Sequence, residues 1–295
     1  MSGSLQQTLT PAFGTYDIVE LIGVVRNLKL PTTFLLDTFF PNIVESDAPT
    51  VAIDVDNGKR RLAPFCSPLV EGKLVESRQW QTNLFKPAYI KDKRTPDLTR
   101  AVRRAMGERL LGAMTPQQRF EANVAFEIND QMEMITRRLE WMAAQALMTG
   151  TVTIRGEGYP DPILVNFGRS ASLTVGLTGA AAWGQAGVSP TAWITLWATQ
   201  VLQQSGAKVT DIILTNGPWT ALLADLRIIN AVWAPRAGDT NMDFGGYTAH
   251  GAMMVGVWGQ FRFWLYNEWY VDPVSDIEYP MVPDGTVILA SNEMQ

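Results

Sequence analysis

Residues 115–150 read TPQQRFEANVAFEINDQMEMITRRLEWMAAQALMTG, and this stretch organises the rest of the chain around itself. Thr115 stands where a helix N-cap belongs, Pro116 at the first helical position and Gln118 at the third, the residue types that satisfy or dispense with the unpaired amides of a helix start. Phe120, Val124, Ile128, Met132, Ile135, Leu139, Met142 and Ala146 then recur at three- and four-residue steps. That spacing predicts one apolar face running to a glycine C-cap at Gly150. At ~1.5 Å per residue the helix is roughly 50 Å long. It carries no sustained heptad, so a rigid strut with other elements packed across it is expected.

Beyond the strut, Thr151–Ile154 and Ile163–Val165 flank a loop with Gly156, Gly158 and Pro160, which predicts a β-hairpin. Residues 170–190 are rich in Gly, Ala, Ser and Thr and read as an irregular connection into a second subdomain. There, Ser189-Pro190 opens a helix through about Gln204, Asp211–Thr215 reads as a strand, and Gly217-Pro218 starts a helix through about Trp233. Ala252–Val257, Phe261–Tyr266 and Thr286–Ala290 are further strands. The chain as a whole is expected to be α+β, with a mixed sheet in its second half.

Before the strut the pattern is different. Residues 1–49 scatter short apolar clusters among Pro11, Pro31, Pro41 and Pro49, and PTTFLLDTFFPN (31–42) is too short and proline-bounded for a long helix. An extended arm is expected. Val51–Asp56 alternates like a strand, and Asn57-Gly58 after it is a two-residue turn signal that predicts a hairpin. The return stretch Lys59–Tyr89 carries Pro64, Pro68 and Pro87 and is unsuited to a central strand, so it reads as a long protruding loop.

Apolar residues form 46% of the 295 and charged residues 18%, which excludes a disordered chain. No apolar run reaches the ~18 to 20 residues of a membrane span, and the N-terminus lacks the layout of a signal peptide, so synthesis in the cytoplasm is expected. Charge is segregated: residues 59–109 hold 13 Lys+Arg against 5 Asp+Glu, whereas residues 150–295 hold 6 against 12. Such segregation steers complementary surfaces together, either between copies of one chain or onto a polyanion.

Chemistry is scarce. His250 is the one histidine, in a turn-like run with no nucleophile motif beside it, so a loop histidine is expected and a hydrolase using His250 is the enzyme alternative. Cys66, the one cysteine, excludes an internal disulfide and reads as a small buried filler. Asp54-Val55-Asp56-Asn57-Gly58 mimics the first half of a calcium loop, but its twelfth position is Phe65, so no metal is expected. No phosphate-binding glycine loop follows a strand, and no cofactor or catalytic residue is assigned. The segment from Lys59 to Arg104 interleaves bases with Phe65, Trp80, Phe85 and Tyr89. It suits single-stranded nucleic acid or a protein contact; Glu71, Glu76, Asp92 and Asp97 dilute the former, and Arg, Trp and Tyr favour the latter.

The run Lys59-Arg60-Arg61-Leu62-Ala63-Pro64-Phe65-Cys66-Ser67-Pro68-Leu69-Val70-Glu71-Gly72-Lys73 resembles the signature of the phage lambda E-type major capsid protein family. Leu30–Pro41 before it and Phe85–Lys91 after it are similar to that family's opening segment and loop exit, and the likeness extends over about residues 28–290. The resemblance implies a Hong Kong phage-type capsid fold. Residues 1–50 would be an N-terminal arm, 51–96 an extended β-loop, 97–168 a peripheral domain with the spine helix at about 116–149, and 169–295 an axial domain. Family members run further and return to the peripheral sheet, a segment this sequence does not contain before Gln295.

The implied function is an icosahedral phage head shell around double-stranded DNA, built from hexamers and pentamers of this chain. Scaffolding, portal and decoration proteins are implied partners, DNA is contacted without sequence preference, and no membrane is involved. A cargo-enclosing bacterial compartment of the same fold family is the other structural alternative. For the shell, the expected intersubunit contacts are Lys59, Arg60, Arg61, Arg78, Trp80, Phe85, Tyr89 and Arg94, with the three aromatics as anchors and the bases fixing register.

Overall fold

A computed structural model of the chain describes residues 31–56, 61–72, 74, 75, 77, 80–94, 114–159, 161–225, 240–241 and 251–291. Before and within the strut lie α1 (Phe34–Phe39), β1 (Val51–Asp56), β2 (Trp80–Phe85) and α2 (Pro116–Thr149). The hairpin strands β3 (Thr151–Ile154) and β4 (Ile163–Asn166) lead to α3 (Pro190–Gln204), β5 (Asp211–Leu214) and α4 (Asn216–Leu223). β6 (Thr240–Asn241), β7 (Met253–Trp258), β8 (Phe261–Leu265), β9 (Trp269–Val271), β10 (Glu278–Pro280) and β11 (Val287–Ala290) follow. The chain divides into two units, one of Met1–Pro31 with Ile90–Arg137, the other of Thr32–Tyr89 with Arg138–Gln295.

In the first unit, α2 begins as its sequence dictates. The Thr115 amide donates to Gln118 Oε1 at 2.9 Å and the Gln118 amide donates back to Thr115 Oγ1 at 3.3 Å, a reciprocal capping box. One turn of the helix is tied to the chain before it by Arg94, whose guanidinium lies 2.6 Å from Glu127 Oε2 and 2.5 Å from Asp130 Oδ2.

The second unit is built on a sheet of order β11-β5-β8-β7-β6, in which β5 and β8 run parallel and the other pairs antiparallel. All four residues of β5 are buried, because each face of this central strand is covered. Ile212 and Leu214 pack with Ile194 of α3 and Trp219 and Leu222 of α4. Ile213, pointing the other way, packs with Phe34 and Leu35 of α1, Ala143 and Ala144 of α2, and Tyr266. At ~1.5 to 3 kcal/mol per fully buried aliphatic side chain, this sandwiched strand anchors the unit. Asp211 starts it, accepting from Arg262 Nη2 at 2.7 Å and from Trp264 Nε1 at 2.8 Å.

Several expectations need correction. The 34–39 segment is not extended: it is a short helix with Phe34, Leu35 and Phe39 in the core. A buried carboxylate holds it, since Glu140 accepts from the Leu35 and Leu36 amides at 2.9 and 3.0 Å. Tyr266 donates to the same carboxylate at 3.0 Å. The face of α2 that enters the core is Glu140, Ala143 and Ala144, whereas Leu139 of the predicted stripe is exposed. Two alanines admit α1 closely enough for Glu140 to reach its amides.

Asn57-Gly58 does not close a two-residue hairpin: Asp56 is paired with Trp80, so β1 meets β2 across a long loop. Cys66 is exposed and not a core filler; its thiol points at the carbonyls of Ser67 and Val70 in a turn of that loop. The helix expected to reach about Trp233 ends at Leu223, because Asp225 turns back to accept from Ser189 Oγ and from the amide and hydroxyl of Thr191, capping α3. The β9–β10 pair was not foreseen, and His250 lies outside the described residues.

The remaining elements follow their local signals. α2 ends at Gly150, whose φ of +70° and whose distance to Arg169 Cβ (2.7 Å from where a Cβ would sit) exclude other residues. Arg169 donates to the Leu147 and Met148 carbonyls at 2.7 and 2.6 Å, closing the helix end. β3 and β4 pair antiparallel, and α3 spans the residues its Ser189-Pro190 start predicts.

Candidate intersubunit contact surface

β1 and β2 pair antiparallel over their whole length, from Val51 opposite Phe85 to Asp56 opposite Trp80. A two-stranded ribbon has no second layer to bury its faces, and an isolated one is marginal in water. Its side chains show this: Val51 and Leu84 are exposed, and Phe85 is half-buried. Among the described residues of the loop beyond the strands there is no helix or strand, and a turn is closed by the Val70 amide on the Ser67 carbonyl at 3.0 Å. Along it Leu62, Phe65, Leu69 and Leu74 are almost wholly in solvent, Leu62 at 95% exposure. Side chains of this kind cost free energy in water and are the usual mark of a surface that is covered by something else.

Of the residues predicted from sequence, Arg61 is exposed on this loop, and Phe85 lies on β2. Tyr89 is exposed just past β2, its backbone amide donating to the Tyr159 hydroxyl at 3.2 Å, which pins the loop exit to the β3–β4 connection. Lys59, Arg60 and Arg78 lie outside the described residues; of Trp80 only the backbone, paired with Asp56, is described. Arg94 is held within its own chain, with its charge favoured by hydrogen bonds to Glu127 and Asp130. The described ones of the second unit, Arg61, Phe85 and Tyr89, lie along the ribbon's loop, its second strand and its exit, an arrangement suited to a contact surface. Sequence reasoning picked the aromatics and missed the aliphatic tip. The available signal was a set of apolar residues inside a basic, proline-bounded stretch that no core could receive.

Among the described residues no group of three or more His, Cys, Asp or Glu is placed to hold a metal, and no helix is long and apolar enough to cross a membrane. Against that background the comparisons with known proteins decide the matter. The model of a family described as phage major capsid protein E matches residues 17–295.

The chain belongs to that family.

It is 26% identical over 288 residues to the major capsid protein of Escherichia phage N15, a match covering 94% of this chain and 81% of that protein. With the major capsid protein of Enterobacteria phage phi80 the identity is 26% over 285 residues, with the same coverage. The major capsid protein of Escherichia phage lambda is 25% identical over 245 residues, covering 80% of this chain and 68% of that one. The crystal structure of a prophage capsid protein from E. coli CFT073 superposes with a TM-score of 0.64 at 17% identity, covering 94% of this chain and 80% of that chain. At that identity the likeness speaks for the fold. Family membership favours a shell protein over a hydrolase or a cargo compartment.

Proposed function

We propose that many copies of this chain close into the icosahedral head shell of a tailed bacteriophage, around its double-stranded DNA genome. The observation that carries this is the match to a phage major capsid family along residues 17–295. In this reading the chain adopts the Hong Kong phage-type capsid fold. Residues 1–50 form the arm, 51–96 the extended loop, 97–168 the peripheral domain and 169–295 the axial domain. The short buried helix α1 then means that the arm is anchored in the subunit core at Phe34 and Leu35.

The contacts between subunits are heterologous, and their rotation closes into rings of five and six. Trp80, Phe85 and Tyr89 anchor the loop on a neighbour, while Lys59, Arg60, Arg61 and Arg78 set register and encounter rate. Arg94 is engaged by Glu127 and Asp130 of its own chain. Scaffolding, portal and decoration proteins are candidate partners of such a shell. The protein is made in the host cytoplasm and resides in the virion, where its contact with DNA is non-specific.

Size-exclusion chromatography followed by electron microscopy of the purified chain tests the proposal. Closed shells, many times the size of the 32.7 kDa subunit, are expected. A monomer or a small defined oligomer at every concentration and salt would overturn it.

A further inference from the structure

The β9–β10 hairpin has two unlike faces. In register, Tyr270 stands opposite Tyr279, and Val271 opposite Glu278. On the tyrosine face Tyr270 is half-buried, its ring 6.3 Å from that of Trp141 of α2 and 6.1 Å from that of Tyr279, which is 42% exposed. The other face carries Trp269, 53% exposed, and Val271, 52% exposed.

The tip beyond this face is built, not loose. Asp272 Oδ2 accepts from the Ser275 amide at 2.9 Å and the Ser275 hydroxyl at 2.8 Å, and the Asp276 amide donates to the Asp272 carbonyl at 2.9 Å. This fixed turn holds Val274 out at 92% exposure, with Ile277 beside it. A rigid apolar projection loses little entropy on docking.

Charge indicates what docks. Residues 268–280 carry four carboxylates and no base, a formal −4, while residues 57–79 carry five Lys+Arg against two Glu, a formal +3. Arg138 on α2 stands near Asp272 and offsets part of that field. The exposed apolar stretch of α2, around Ile128 and Met132, is the rival surface, but there Glu127 and Asp130 are engaged by Arg94. Leu62, Phe65 and Leu69 are exposed in the same chain as the hairpin, so neither surface covers the other within one subunit.

We infer that the outward face of the β9–β10 hairpin, with Trp269, Val271 and Val274, receives the apolar loop tip around Leu62, Phe65 and Leu69 of a second copy. This rests on the shell reading and names the contact within it.

Cys66, the one cysteine of the chain, sits exposed on that tip and supplies the probe. Assembled particles of Val274→Cys are treated with a mild added oxidant and run on a non-reducing gel. Conversion of most of the monomer band into a ladder is expected, because docking would bring the two cysteines within disulfide reach, a Cα separation under ~7 Å. Wild type, and Val274→Cys in a Cys66→Ser background, should stay monomeric on the gel. Ile277→Cys repeats the test at a second position should Val274→Cys assemble poorly. Intact particles without a ladder at either position would overturn the assignment. So would a dimer band from Val274→Cys in the Cys66→Ser background, the most that one thiol per chain allows, which means hairpin meeting hairpin, or a ladder given by Met132→Cys with Cys66 in place. Failure of the wild type to form particles at all would instead strike down the shell reading, and this contact with it.

Discussion

Strand β5 and the β1–β2 ribbon are both apolar, yet they lie at opposite ends of a scale of self-sufficiency. Each face of β5 is covered by its own unit, Ile213 by α1 and α2, Ile212 and Leu214 by α3 and α4. Among the described residues the ribbon has no such cover: Leu84 is exposed on β2, and Leu62 and Phe65 lie in solvent on the loop it carries. The difference separates two tasks within one chain. Apolar residues with sheet neighbours on both sides and helices on both faces determine whether the subunit folds, and under the proposed function apolar residues on a two-stranded ribbon would determine what it joins. Substitutions in one set should therefore leave the other property untouched.

The largest expected effect is on assembly. Trp80→Ala should abolish particles seen by electron microscopy while leaving the unfolding free energy of the isolated subunit within about 0.5 kcal/mol of wild type, the range of substitutions outside a core. Normal particles from that variant would remove the ribbon from the interface. In the core the order reverses. Glu140→Ala leaves two amides of α1 and the Tyr266 hydroxyl without their acceptor. At ~1 to 3 kcal/mol for each buried group left unsatisfied, a loss of at least about 3 kcal/mol is expected in denaturant titration of the subunit. A loss under 1 kcal/mol would show that α1 does not depend on this carboxylate.

Glu140 also gives the core a pH signature. Burial raises its carboxyl above the ordinary value of 4.5, against the opposing pull of the α1 amides. A folded-state value above the unfolded one means that the folded subunit binds the proton more tightly, so this group's contribution is fully present below pH 4.5 and declines as pH rises through the raised value. Asp284 acts in the opposite sense. Its carboxyl is held low by the Gly217 amide, so its contribution is present above the usual carboxylate range and is lost as pH falls. Glu140→Gln, measured against wild type across that range, should flatten the decline on the alkaline side; an unchanged profile would assign the decline elsewhere.

Much of this was legible in the residues themselves, for a reason that the same comparison supplies. The limits of α2, α3 and the β3–β4 hairpin follow from caps, prolines and alternation, all of which act within a few residues. What escaped was set at a distance. Phe34–Phe39 is too short to be helical on its own account and is held by a carboxylate 105 residues from Leu35. The true partner of β1 is β2, which overrides the local Asn57-Gly58 signal, and the three-residue strands β9 and β10 are below any periodicity. That the stretch after β1 leaves the core was readable from its prolines and bases, and Leu62, Phe65 and Leu69 are exposed on it; which of its apolar residues stand out was not, since Leu and Val at single positions look the same inside or outside.

A smaller effect tests a link on the folding side. Asp225→Ala removes the cap of α3, where one carboxylate oxygen accepts from Ser189 Oγ at 2.8 Å and from the Thr191 amide at 3.0 Å. Caps of this kind contribute ~0.5 to 2 kcal/mol. The subunit should lose an amount in that range and still assemble, with lower thermal resistance. Loss of assembly at unchanged stability would move Asp225 from the folding set to the contact set.

The smallest effect expected is at Arg94, and it tests whether the division between folding and joining holds for charged residues. The guanidinium reaches Asp92, Glu127 and Asp130 and is held protonated by them, but it does so at the surface, where water and salt compete for every partner. Its contribution to folding should be visible only at low ionic strength and vanish near 1 M salt, where the Debye length is about 3 Å. Because its partners lie in its own chain, Arg94→Ala should slow assembly less than Arg61→Ala, and the gap should close as salt is added. If Arg94→Ala instead blocks shells as Trp80→Ala does, then α2 near Glu127 takes part in the interface and the ribbon is not the whole of it.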